Sequence, residues 1–166
     1  MRTVTALIAI ATVALFAGVP QGSAVPIANG IYAVLAEGPT RQEMDQQKAP
    51  HYVLLYDRKY LDENPKQAPK YVALDSSSFV PFVLAEAPKI DGTYRDHPVL
   101  SLRLAPKNVK LLESFTSAHL GGSVATVIDG EIVTMHKVRS VIEDGQVQIS
   151  RCTDNACRIL RMKLTQ

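Results

Sequence analysis

Residues 102–150 read LRLAPKNVKLLESFTSAHLGGSVATVIDGEIVTMHKVRSVIEDGQVQIS, and the order of patterns along this stretch decides the fold class. It continues the segment Val99–Leu104, where apolar and polar residues alternate as in a half-buried strand. Pro106 then stands where the first turn of a helix tolerates a missing N–H. From there Val109, Leu112 and Phe115, flanked by Leu111 and Ala118, recur at the three-to-four spacing of one buried helix face. Gly121-Gly122 ends that helix, because glycine enters the left-handed cap conformation without steric cost. Ser123–Ile128 and Glu131–Val141 read as strands joined by Asp129-Gly130, the two-residue chemistry of a tight hairpin. A second turn at Asp144-Gly145 leads into Val147–Ser150. The expected order is strand, helix, three-stranded meander, which makes the chain α+β with a mostly antiparallel sheet.

Upstream, Ile31–Ala36, Tyr52–Asp57, Lys70–Leu74 and Phe79–Ala87 are rich in β-branched and aromatic residues and read as four strands. Gly38–Pro50 is hydrophilic and reads as a solvated loop, and Leu61–Pro69 as a second exposed connector. Pro88, Asp91-Gly92 and Pro98 interrupt the pattern and mark a hinge between two halves. The expected organisation is a signal over 1–24, a strand-rich subdomain over 25–97 and an α+β subdomain over 98–166.

The signal rests on Arg2, the apolar run Val4–Gly18 and the small residues Gly22-Ser23-Ala24, with cleavage near Ala24. That run is shorter than the ~20 residues a spanning helix needs, and no later stretch is long or apolar enough. The mature chain is therefore expected outside the cytoplasm, periplasmic or secreted, without a membrane span. With 18 basic and 16 acidic residues, and no arm that concentrates Lys and Arg among aromatics, nucleic acid is excluded as a partner.

The tail carries both cysteines. Thr153 reads as an N-cap with Asp154 in the first helical turn. On that register Cys152 and Cys157 occupy the two positions that meet in a hydrophobic staple. An even pair in an exported chain favours a Cys152–Cys157 disulfide. The four intervening residues differ from the Cys-x-x-Cys of redox centres, so the bond reads as structural.

No constellation for catalysis, metal or cofactor emerges. His51, His97, His119 and His136 are scattered without ligand spacing. Asp75-Ser76-Ser77-Ser78 lacks a nucleophile elbow and reads as a polar turn between strands. Gly121-Gly122-Ser123 lacks the lysine and longer glycine pattern of a phosphate loop. Asp62/Glu63 and Glu143/Asp144 are adjacent carboxylates in connectors, with nothing to drive one pKa away from the other.

The stretch that opens this section resembles the head subdomain of the first periplasmic domain of SecD/SecDF, a membrane subunit that assists protein export. The residues that carry the likeness are Leu104-Ala105-Pro106, Phe115-Thr116, Gly121, Ala125-Thr126-Val127-Ile128-Asp129-Gly130 and Gln148-Ile149-Ser150. Thr153–Leu164 sits where that family places its second helix. Met135-His136-Lys137 departs from the family, which has a small residue and proline after the hairpin. The resemblance implies an α+β head and a contact role outside the cytoplasm, not the proton-driven step of the membrane part. The expected function is therefore a non-catalytic interaction module for another periplasmic or envelope protein or peptide. The alternative is a small periplasmic hydrolase with a site between the two halves, gathering His97, His119 or His136 with a carboxylate.

Overall fold

Alternation along the first strand sets up the whole architecture. The computed structural model describes residues 27–61, 67–150 and 152–166; the signal with its cleavage position at Ala24, and the pair Asp62/Glu63, lie outside the described residues. The elements run β1 (Gly30–Gly38), α1 (Arg41–Met44), β2 (His51–Tyr56), β3 (Lys70–Pro81), β4 (Lys89–Tyr94), β5 (His97–Arg103), α2 (Pro106–Ala118), β6 (Ser123–Ile128), β7 (Glu131–Lys137), β8 (Gln146–Ile149) and α3 (Asp154–Lys163). Two antiparallel sheets form, one ordered β2-β3-β1-β6-β7 and the other β4-β5-β8. The α+β class with a mostly antiparallel sheet follows.

Because side chains alternate across a strand, Ile31 and Ala33 of β1 enter one core and Tyr32 and Val34 the other. The first core lies between the two sheets and the helices, with Leu100, Leu102 and Leu104 of β5, Leu112 and Phe115 of α2, and Leu160 of α3. Each of these six leucine and phenylalanine side chains is almost fully removed from water, a gain of roughly 1.5–3 kcal/mol apiece on burial. The second core fills the opposite face of the five-stranded sheet with Tyr32, Tyr56, Val72, Leu74, Val127 and Ile132. There Tyr32 stacks on Phe79 at 4.7 Å and meets Tyr52 edge-on at 6.2 Å. Burial, and then the neighbouring Tyr52, push the Tyr32 phenol up to about 12, and its hydroxyl donates to the Ala28 carbonyl at 2.8 Å.

Several expectations change. The five-stranded sheet takes β1–β3 from before residue 98 and β6–β7 from after it. The supposed hinge at Pro88–Pro98 is the β4–β5 hairpin, whose turn residues Arg95 and Asp96 both have positive φ, 51° and 65°. Lys70–Leu74 and Phe79–Ala87 are not two strands with a turn between them. β3 is continuous, and Asp75–Ser78 form a bulge where its register on β1 shifts between Tyr32↔Phe79 and Val34↔Leu74. Gly38–Pro50 is not fully solvated: it contains α1, capped by Thr40, and Met44 is buried against Val53 and Ala73. The meander ends after two strands. The Ile142 N–H donates to Thr116 Oγ1 of α2, which draws the connector across the helix and delivers β8 to β5.

The tail agrees with its reading. Thr153 caps α3 by accepting from the Ala156 N–H, and Cys152 and Cys157 form a disulfide with both side chains buried in the first core. At the far end of α3, Lys163 reaches Asp129 at 2.8 Å and Glu131 at 3.2 Å. Glu131 also accepts from Lys59 and from the Tyr60 hydroxyl. Partial burial raises the Glu131 carboxyl, but the three donors outweigh it and hold it down at about 2. The Lys163 ammonium is raised in turn, chiefly by its hydrogen bond to Asp129. This clasp joins the last helix, the β6–β7 hairpin and the segment after β2.

Candidate binding groove beside strand β8

Among the described residues, strand β8 has β5 on one side and no strand on the other. The Leu104 N–H donates to the Gly145 carbonyl at 3.0 Å, and Leu102 faces Val147 and Leu100 faces Ile149. In an antiparallel ladder, bonded and non-bonded pairs alternate. Val147 and Ile149 therefore bond to β5, while Gln146 and Gln148 direct their backbone groups the other way. The Gln146 N–H is taken by Asp144 Oδ1 at 3.0 Å. Among the described residues, no strand lies on the side to which Gln148 points.

The other edges differ. β4 is broken by a register shift between Ile90 and Thr93, with Gly92 at φ 66°, a device that discourages strand pairing. At the edges of the larger sheet, Lys59, just beyond β2, pairs with Glu131 on β7. β8 is short and regular.

A concavity lies on either side of that edge. One, of about 180 Å³, has an apolar floor of Ile31, Val124, Val138, Ile142 and Val147. Its exposed rim carries His136, Lys137 and Arg139. The other, of about 220 Å³, covers the outer face of the small sheet and is lined by Glu86, Lys89, Asp91, Ser101, Arg103, Gln146 and Gln148. Its polar groups are largely satisfied among themselves: Ser101 Oγ donates to Asp91 at 2.6 Å, and Glu86 faces both Lys89 and Arg103. The Lys89 ammonium, first through its hydrogen bond, lowers the Glu86 carboxyl. A backbone edge with an apolar trough on one face and a polar shelf on the other suits an extended chain whose side chains alternate.

Comparison with known proteins bears on the same region. The family described as SecDF, P1 head subdomain matches residues 83–164, which span β4 to α3. Residues 83–164 form a SecD/SecDF P1 head-like domain. The match starts before residue 98 and so includes β4. Among solved structures, one described as a membrane component SecDF that enhances protein export is 20% identical with a TM-score of 0.48, covering 83% of this chain and 63% of that one. A SecDF in a super-membrane-facing form is 16% identical with a TM-score of 0.46, covering 84% of this chain and 24% of that one. This chain thus spans less than two thirds of the length of either relative. No curated protein matches it.

The residues weighed for catalysis are not gathered in one place among the described residues. His51 donates to the Ala49 carbonyl at 2.8 Å, and His97 sits in the β4–β5 hairpin opposite Tyr94. His136 bonds Thr134 Oγ1 at 2.7 Å, two residues away on the same face of β7. His119, at the C-terminus of α2, meets Ser78 Oγ at 2.9 Å and rests on Phe115. That Ser–His pair looks like the start of a nucleophile, yet the carboxylate next to it is committed elsewhere. Burial raises the Asp75 carboxyl, but the Ser77 hydroxyl and the N–H groups of Ser77 and Ser78 lower it further. Neither Ser78 nor His119 lines either concavity. The contact instead fastens the end of α2 to the bulge of β3.

Gly121 and Gly122 are spent on the helix end and the β6–β7 sheet through bonds to Val138 and His119. Glu143 and Asp144 stay on the exposed connector. Among the described residues, no group of three His, Cys, Asp or Glu side chains could hold a metal, and no helix is long and apolar enough to cross a membrane. The groove residues Val138, Arg139 and Ile142 were missed because they lie in a connector. The one local signal was the departure from the family pattern at Met135-His136-Lys137, directly before them.

Proposed function

We propose that this protein is an exported, non-catalytic interaction module that takes up an extended polypeptide outside the cytoplasm, in the periplasm or beyond, by adding it as a strand to β8. The observation that carries this reading is the outward-facing backbone of Gln148 on a regular edge strand beside an apolar groove. Strand addition draws affinity from main-chain hydrogen bonds and specificity from alternating pockets. In this reading, residues 1–24 are the signal removed near Ala24, and the strand-rich residues 25–97 frame the α+β residues 98–166, with which they share the five-stranded sheet. The partner is a periplasmic or envelope protein or peptide. The match of residues 83–164 to the SecDF P1 head subdomain supports a contact role of this kind.

Isotope-edited NMR with an eight-residue peptide of alternating Leu and Thr tests it. Binding is expected to shift the Gln146–Ile149 amides and to slow hydrogen exchange at Gln148. The Gln148→Pro variant should lose at least tenfold in affinity, because proline removes the outward N–H while the bonds of Val147 and Ile149 to β5 remain. Shifts confined to other elements, or unchanged binding by a folded Gln148→Pro variant, would overturn the proposal.

A further inference from the structure

We infer that the polypeptide accepted at β8 is an acidic one, with aliphatic side chains entering the groove and carboxylates flanking them; this rests on the strand-addition reading above. Lys137 and Arg139 are both exposed at the rim, and among the described residues neither is paired with a carboxylate. Lys59, Lys70, Lys89 and Lys163, by contrast, are each matched to an acid. Among the described residues, no Asp or Glu lines the groove, although the connector that forms its wall continues into Glu143 and Asp144. Asp144 is turned to the Gln146 N–H instead.

The groove therefore presents an apolar floor under two unmatched cations. A basic peptide would add like charge beside groups that have no local counter-ion. An acidic one supplies the missing partners, and Arg139 can engage a carboxylate with two parallel hydrogen bonds. The outer shelf does not oppose this, because its Glu86 and Asp91 already face Lys89, Arg103 and Ser101. Exposed pairs of this kind are individually weak, and two of them together correspond to roughly tenfold in affinity, about 1.4 kcal/mol.

Fluorescence anisotropy with three labelled peptides tests the inference. They share one alternating Leu/Thr core and differ in being flanked by Asp, Asn or Lys. The Asp peptide is expected to bind about tenfold more tightly than the Asn peptide. That preference should vanish in the Lys137→Gln/Arg139→Gln double variant and shrink between 50 mM and 500 mM salt. Equal binding of all three peptides overturns the acidic preference and leaves strand addition standing. Binding of none of them overturns both. Preference for the Asp peptide that persists in the double variant assigns the charge recognition elsewhere and also overturns the inference.

Discussion

Replacing Glu131 by glutamine keeps the size of the side chain and removes the charge at the centre of the clasp. A carboxyl held at about 2 when its ordinary value is 4.5 corresponds to about 3 kcal/mol in favour of the folded state, if nothing screened it. The Glu131 side chain is 37% exposed and that of Lys59 47%, so solvent screening reduces this to about 1–1.5 kcal/mol. The sign follows from the direction of the shift. A carboxyl lowered by folding stabilises the protein above its unfolded value, and that contribution fades as pH falls from about 4.5 through about 2. Urea unfolding at pH 7 should therefore show Glu131→Gln destabilised by about 1–1.5 kcal/mol with an unchanged slope on denaturant. The gap between variant and wild type should close toward zero near pH 2. A variant as stable as wild type at pH 7 would refute the clasp. A gap that persists at low pH would show that packing, and not charge, links α3 to the hairpin.

Two further outcomes concern the first core. The Cys152→Ala/Cys157→Ala variant should lose about 2 kcal/mol in the same unfolding assay, the chain-entropy value for so short a loop, and peptide binding at β8 should survive. A loss of binding in the folded variant would contradict the structural role of the bond. Leu112→Ala empties space between α2 and the sheets, where Leu112 is fully buried, and should cost about 2–5 kcal/mol by calorimetry or urea; a cost below about 1 kcal/mol would show that α2 is loosely docked.

Local chemistry made much of this fold legible in advance. Pro106 and the 3–4 spacing of Leu112 and Phe115 mark α2, and Asp129-Gly130 takes up the positive φ values, 53° and 73°, that a two-residue hairpin requires. Thr153 caps α3 as its hydroxyl chemistry dictates. What misled was local chemistry overruled by distant partners. Asp75–Ser78 carry turn residues, yet β1 holds them within β3 as a bulge. Met44 looked solvent-bound in a hydrophilic stretch, yet Val53 and Ala73 bury it. Asp144-Gly145 announced a turn without saying to which sheet the chain would return.

By itself, the sequence determined the α+β class, helices α2 and α3 with the Thr153 cap, the cysteine pair and the likeness to the SecD/SecDF head, because each depends on spacing within a few residues or on one contiguous stretch. Only the tertiary structure decided that β8 leaves β7 and joins β5, which opens the groove and turns Gln148 outward. Strand partners are chosen by burial summed over the whole core, and the edge that remains unpaired is a property of that sum, written in no single segment.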